Sequence, residues 1–320
     1  MGWLTIVNLI FLGTPSFAVP TLEAVVAAGQ HVLAVFTQPD RPKGRGGQVA
    51  MPPVKETALR LGLPVHQPER VRRPEVVEQL KQLNPDVMVV VGYGQIIPQS
   101  IIDISRHGII NVHASLLPKY RGAAPIQWSV ANGDRRTGIT TMRIDAGLDT
   151  GDMLLKWETE IGPAETALEL GRRLAAAGAD LLVTTLQGIE AGAIQPQAQD
   201  NAQATLAPIL KKEDGLIDWS WPAEKIYNRV RGFLPWPGAY TFFRDQGFHI
   251  WKARVPEEPG SGRPGRLRPL KKRLLIDCGA QTALEAIEVQ IEGRKRMPVE
   301  AFLNGHHLNE NETLGVRPKS

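Results

Sequence analysis

The stretch Asp86-Val-Met-Val-Val-Val91-Gly-Tyr93-Gly-Gln-Ile-Ile-Pro-Gln-Ser-Ile-Ile-Asp-Ile-Ser-Arg-His107-Gly108-Ile-Ile-Asn111-Val-His113-Ala-Ser115-Leu-Leu-Pro118 contains two short apolar runs. The first, Asp86 to Val91, reads as a strand buried on both faces. The second, Gly108 to His113, is a further strand, but it carries an amide and an imidazole two positions apart. Side chains alternate along a strand, so Asn111 and His113 share one face at its carboxyl end. Ligands bind at that end in open α/β sheets. A buried strand does not hold two such groups on one face unless something satisfies them. A hydrogen-bonding pair that caps the strand end would account for Asn-x-His as well as catalysis does.

Around this stretch the chain alternates apolar runs with helical-period segments from residue 4 to about 190, the pattern of βαβ units. Leu4 to Leu12 is a strand, and Gly13-Thr14-Pro15 turns into a helix with Thr14 placed to cap and Pro15 at the first helical position. That helix closes on Gly29. His31 to Phe36 and Gly138 to Ile144 read as strands; Pro53 to Leu61, Arg73 to Leu83, Ile126 to Asn132 and Thr166 to Glu190 read as helices. The fold class is α/β, a doubly wound, mostly parallel sheet over residues 1–190.

Residues 191–208 (AGAIQPQAQDNAQATLAP) lack periodicity and read as a linker. Beyond them, residues 209–320 hold a helix from Ala223 and short strands at Ala239–Phe243, Phe248–Ala253, Leu274–Asp277 and Ala286–Ile291. Those elements suggest a small barrel.

Composition closes several classes of function. With 42% hydrophobic and 22% charged residues the 320-residue chain is globular rather than disordered. No run approaches the roughly 20 apolar residues of a membrane helix, and the apolar start lacks the basic region of a signal peptide, so the expected compartment is the cytoplasm. One cysteine, Cys278, excludes disulfide frameworks and cysteine zinc sites. The histidines show no metal-ligand spacing, so no metal is expected. Gly-x-Gly-x-x-Gly and Gly-x-x-x-x-Gly-Lys-Ser/Thr are both missing, against dinucleotide and P-loop binding. No apolar interface stripe appears, which makes a monomer the default.

A second informative segment is Gly147-Leu-Asp149-Thr-Gly-Asp152. Bracketed by glycines after a strand, it forms a tight loop at the same sheet edge if the connections are right-handed crossovers. Asp149 could then face His113; an Asp in a local turn is the plainer alternative.

The net charge of +4 is unevenly placed: residues 1–190 balance at 18 basic and 18 acidic, and the excess lies beyond. Arg263-Pro-Gly-Arg266-Leu-Arg268-Pro-Leu-Lys271-Lys272-Arg273 holds six positive residues and no negative one, and Arg294-Lys-Arg296 adds three. Such a run is either a solvated loop or a phosphate-contacting face.

These residues together resemble the folate-dependent formyltransferase family over nearly the whole chain. The resemblance rests on Asn111-Val-His113, Ser115-Leu-Leu-Pro118, Tyr120-Arg-Gly122 and Gly147-Leu-Asp149-Thr-Gly-Asp152. It implies a Rossmann-like catalytic domain and formyl transfer from 10-formyltetrahydrofolate, a co-substrate rather than a bound cofactor. Thr37-Gln-Pro-Asp40-Arg41-Pro-Lys43-Gly-Arg45-Gly, Arg121-Gly-Ala-Ala-Pro-Ile-Gln127 and Lys212-Glu-Asp-Gly-Leu-Ile-Asp218-Trp219 resemble the branch that formylates methionine on initiator tRNA, with an OB-like second domain. Ser16 and Leu206 depart from that pattern, at positions where an acidic residue and a tyrosine are common.

The resemblance implies roles by position. Asn111 and His113 would aim donors at the formyl oxygen, and Asp149 would orient His113 and help move the proton. Ser115, Leu116, Leu117 and Pro118 would border the folate, with Val90 and Tyr93 as an apolar wall. The basic loop Asp40–Gln48, nearly structureless before binding, would enter the tRNA acceptor end through Arg45, supported by Arg41 and Lys43. Lys211, Lys212, Arg266, Arg268, Lys271 and Lys272 would hold phosphates. The catalytic motifs alone leave open a small-amine acceptor such as a sugar nucleotide or glycinamide ribonucleotide.

Overall fold

Asn8–Gly13 (β1) buries every residue but its first, and the parallel strands that flank it are almost as apolar. A computed structural model describes residues 6–43 and 48–315. In it β1 leads through a short 3-10 turn to Val19–Ala27 (α1) and His31–Phe36 (β2). There follow Arg41–Lys43 (β3), Gln48–Ala50 (β4), Pro53–Arg60 (α2), Val65–His66 (β5), Pro74–Gln82 (α3), Val87–Val91 (β6), Gln99–Ile102 (α4) and Ile109–His113 (β7). Next come Pro125–Ala131 (α5), Arg136–Arg143 (β8), Met153–Glu160 (β9) and Ala167–Glu190 (α6). Proline opens α1, α2, α3 and α5, where its missing N–H costs nothing.

Seven strands form one sheet in the order β5-β2-β1-β6-β7-β8-β9. The first five are parallel; β8 is antiparallel to β7, and β9 to β8. The chain winds outward from β1 to β5, then returns to the other side of β1, so the switch in winding direction falls between β1 and β6. In open α/β sheets such a switch point opens a crevice at the carboxyl ends of the strands. Thr14, expected to cap a helix, instead donates its hydroxyl to the Tyr93 carbonyl at 2.9 Å, tying the two strand ends together. Residues 41–43 and 48–50, at the two sides of the segment expected to be nearly structureless, pair as the antiparallel strands β3 and β4; residues 44–47 lie outside the described residues. Lys55 and Gln67 hold Asp40 at its base, at 2.6 and 2.7 Å, and keep its carboxyl below the usual range.

The chain forms two compact units. One comprises the residues up to Gly122, Arg136–Glu160 and Gly171–Ala207; the other comprises Ala123–Arg135, Ile161–Leu170 and everything from Pro208. Residues 191–207 are no loose tether. Gln197 exchanges backbone hydrogen bonds with Met153 at 2.8 and 2.9 Å, and Thr205 and Ala207 bracket Arg121 in the same way.

Within the second unit the helix Ala223–Gly232 (α7) lies on α5, with Trp128 edge-on to Phe233 at 5.3 Å. The strands are Ala239–Phe243 (β10), Gln246–Arg254 (β11), Leu267–Leu270 (β12), Arg273–Asp277 (β13), Ala283–Ile291 (β14) and Met297–Pro298 (β15), before a last helix Val299–Gly305 (α8). They pair antiparallel in the order β10-β11-β14-β13-β12, with β15 on β14. The tail closes the sheet: Leu267 N–H donates to Glu312 and Leu314 N–H to Gly265, while Gly315 exchanges two bonds with Phe242. Both edges are thereby paired, as a barrel requires. Its core includes Phe243, Phe248, Ile250, Leu274, Ile276, Phe302 and Cys278. Burial pushes the Cys278 thiol up to about 12 and leaves it no part in chemistry.

Asp277 on β13 is fully buried, and Arg268 on β12 neutralises it at 2.8 Å. Among the described residues, replacing Arg268 by alanine leaves the buried carboxylate with the Ser261 N–H and hydroxyl and no cation. A loss of about 3 kcal/mol is expected on breaking such a pair, read as a lowered denaturation midpoint.

Among the described residues no helix is long and apolar enough to cross a membrane.

Candidate active site

β7 is buried along its whole length and still carries Asn111 and His113 on one face, 9% and 4% exposed. The residues after the strand satisfy both groups. His113 Nε2 lies 2.9 Å from the Tyr120 carbonyl, which can only accept, so Nε2 carries a proton. The other nitrogen, Nδ1, faces Asp149 Oδ2 at 3.6 Å. Asn111 Nδ2 donates to Asp149 Oδ1 at 3.4 Å, and the Gly122 N–H donates to Oδ2 at 2.8 Å. Asn111, His113 and Asp149 thus meet, with the Tyr120–Gly122 backbone closing the group from one side.

Asp149 reaches this point by a route that differs from the sequence expectation. The expectation required a parallel crossover, but β8 is antiparallel to β7: Arg143 pairs with Ile110 and Thr140 with His113. The loop after β8 therefore starts at the wrong end of β7 and runs back along its face. Gly151 allows this course, because a Cβ there would collide with the Arg143 carbonyl oxygen. Asp149 itself sits at φ +52°, a left-handed conformation that aspartate tolerates better than most residues.

One consequence concerns His113. Its Nε2–H is committed to the Tyr120 carbonyl, so only Nδ1 remains for a reacting group. In the neutral ring Nδ1 is a lone pair, which accepts a proton; once protonated, it is a donor flanked by the Asp149 carboxylate. Asn111 keeps a second amide hydrogen for an oxygen on the open side. The arrangement places an oxyanion donor beside a nitrogen that can accept a proton, with a carboxylate facing that nitrogen.

The Ser115–Pro118 loop is fastened to β8: Thr140 donates its hydroxyl to the Ser115 carbonyl at 2.7 Å and receives the Leu117 N–H at 3.1 Å. Ser115 is fully buried and bonded to the Lys119 carbonyl at 2.6 Å, and Leu117 packs with Met142 and Met153. Leu116 and Pro118 are the half-open members. Val90 and Tyr93, expected as a ligand wall, sit in the core with Ile10, Leu12 and Met88. Tyr93 is 1% exposed, and burial drives its hydroxyl pKa upward.

The basic residues divide. Arg41 is exposed on β3, the same strand contains Lys43, and Arg45 lies outside the described residues. Lys211 and Lys212 are exposed in the second unit, as are Lys271 and Lys272 at the β12–β13 turn. Burial first, then the charges of Lys212 and Arg296, hold the His249 imidazole below its usual pKa, with Glu292 opposing. Lys272 pairs with Glu300 at 2.7 Å, Arg266 donates to the Glu310 carbonyl, and Arg268 serves Asp277. Much of the run that looked like one cationic face is therefore engaged in holding the barrel. Of the two departures from the family pattern, Ser16 begins the 3-10 turn and Leu206 is 69% exposed.

Sequence reasoning missed Gln199. Its amide donates to the carbonyls of Asp149 and Gly151, both at 2.8 Å, and nothing in a glutamine-rich segment marks it out. Among the described residues no three potential metal ligands gather.

A doubly wound sheet with Asn and His at the end of one strand and an Asp brought to them by a loop, followed by a closed barrel, defines a group-transfer enzyme of the formyl-transferring class. The chain belongs to the formyl transferase family: the family's model matches residues 5–186, and that of its C-terminal domain matches residues 209–307. It is 65% identical over 308 residues to the methionyl-tRNA formyltransferase of Solibacter usitatus, covering 96% of this chain and 98% of that one. It is 51% identical to the methionyl-tRNA formyltransferase of Geobacter metallireducens over 96% and 98% of the two chains. Among solved structures, an N-formyltransferase from Helicobacter canadensis, crystallised with folinic acid and dTDP-3-aminofucose, has the same fold. Its TM-score is 0.66 at 19% identity, over 88% of this chain and 99% of that one.

Proposed function

We propose that this protein transfers the formyl group of 10-formyltetrahydrofolate to the α-amino group of methionine carried on initiator tRNA. Residues 1–190 would do the chemistry and residues 209–320 would hold the tRNA. The meeting of Asn111, His113 and Asp149 carries the reading of the reaction. Similarity along the whole length to enzymes named for methionyl-tRNA supports the acceptor.

The amine attacks the formyl carbon, and the carbonyl electron pair moves to the formyl oxygen, where Asn111 donates. The proton leaving the amine passes to His113 Nδ1, directly or through water, and the resulting imidazolium rests against Asp149. Collapse breaks the bond from the formyl carbon to N10 of the folate, and the proton returns to N10. The products are formylmethionyl-tRNA and tetrahydrofolate. No bond to the enzyme forms or is required. Leu116 and Pro118 are the loop members placed to touch the folate.

The test is formylation of charged initiator tRNA by the purified protein with 10-formyltetrahydrofolate. Product on the tRNA is expected. Transfer to an amino-sugar nucleotide in place of tRNA would retain the chemistry and overturn the acceptor.

Phosphate binding by the second unit has its own signature. Lys211→Ala and Lys271→Ala should each weaken tRNA binding and reduce the slope of log affinity against log salt by roughly 0.7 to 0.9. Fluorescence titration at several salt concentrations reads this. Unchanged slopes would remove these two lysines from the interface.

A further inference from the structure

We propose that Gln199 is a positioning residue that holds Asp149 in its working place, an inference that rests on the reading of Asp149 as part of the transfer site. Gln199 is half-buried within a stretch whose other residues from 195 to 203 are exposed. Both ends of its amide are occupied. Its Oε1 accepts from Arg121 Nε and a terminal guanidinium nitrogen at 3.0 and 2.8 Å. Its Nε2 donates to the carbonyls of Asp149 and Gly151. Four hydrogen bonds on one amide admit no flip, because reversal would set oxygen against two carbonyls and nitrogen against a cation.

Arg121 is itself 7% exposed and is fixed further by Asn201 at 2.8 Å. Its backbone bonds to Thr205 and Ala207 complete the clamp. Arg121 also lies between the Tyr120 carbonyl that orients His113 and the Gly122 N–H that meets Asp149. One side chain therefore joins the two backbone segments that set the His113–Asp149 geometry.

The clamp has something to resist. Asp149 is a non-glycine residue at positive φ in a loop whose neighbours Asp145, Ala146, Gly147 and Leu148 are exposed. Left-handed backbone costs aspartate less than most residues but still favours glycine, and the exposed neighbours supply little packing to hold it. The carboxylate has long contacts to His113 and Asn111, 3.6 and 3.4 Å, so a small drift would separate them. A displacement of about 1 Å at a reacting group can cost on the order of 10² in rate.

The experiment compares wild type, Gln199→Glu, Gln199→Met and Asp149→Ala in the full-length protein. Glutamate keeps the acceptor for Arg121 but turns an oxygen onto both carbonyls; methionine keeps the length and removes both partners. The expected result is a kcat lowered roughly ten- to a hundred-fold in both Gln199 variants, with KM for 10-formyltetrahydrofolate within about twofold. The His113 ring nitrogen resonances should shift, read by NMR without turnover. A structural role alone would lower the denaturation midpoint and leave kcat and those resonances unchanged. Wild-type kcat in folded Gln199→Met, or a rise in KM without loss of kcat, overturns the proposal if Asp149→Ala is inactive. Full activity in Asp149→Ala overturns the reading of the site instead. Should Gln199→Glu fail to fold, Gln199→Met carries the test.

Discussion

His113→Ala is expected to lower kcat for formyl transfer by roughly 10² to 10⁴, the range of a lost acid-base group. Of the two described side chains that meet the Asp149 carboxylate, His113 and Asn111, the imidazole is the one that can take the amine proton, since the other is an amide. Removing the ring also leaves the Tyr120 carbonyl without its donor, which costs about 1 to 3 kcal/mol if the cavity stays dry. Single-turnover rates taken well below the denaturation midpoint separate the chemical loss from that cost. Asp149→Asn should fall in the same range while retaining an oxygen for the Gly122 N–H, because the lost element is the charge facing His113 Nδ1. Rates within threefold of wild type for both variants would exclude the proton route through Nδ1.

Asn111→Ala should lower kcat by roughly 10² to 10³, the usual effect of removing one oxyanion donor. KM for 10-formyltetrahydrofolate should change little, since the donor acts on charge that develops only in the transition state. Asn111→Asp should be no better than alanine. It places a second carboxylate oxygen within about the same 3.4 Å of Asp149 and offers acceptors where the reaction needs a donor. The double variant Asn111→Ala with His113→Ala should lose less than the product of the single losses, because the groups act on one transition state. A KM effect equal to the kcat effect would place Asn111 in substrate binding instead.

The strand pair was legible because parity along a strand is a local rule: positions 111 and 113 share a face wherever the strand lies. Asp149 was legible for a reason that failed. The expected crossover does not exist, and the aspartate reaches His113 through a glycine-dependent return of its loop along an antiparallel strand. Of the basic run, the sequence shows charge but not pairing. Asp277 lies nine residues from Arg268 in the chain, and only the β12–β13 ladder brings them together. Gln199 was invisible, one glutamine among several in a segment without pattern.

The chain alone therefore determined its class of fold, through apolar runs too short for helices alternating with helical periods, and it determined the chemistry of β7. It also determined that a second, more basic module follows. Only the tertiary structure decided which nitrogen of His113 is committed to a backbone carbonyl, which of Val90, Tyr93, Leu116 and Pro118 are buried in the core, and which cation already serves a buried acid. The physical reason is range. Periodicity and turn chemistry act between residues a few positions apart and are written in order along the chain. Hydrogen-bond commitments and ion pairs join residues as far apart as Asp149 and Gln199, and they exist only once packing has brought those residues together.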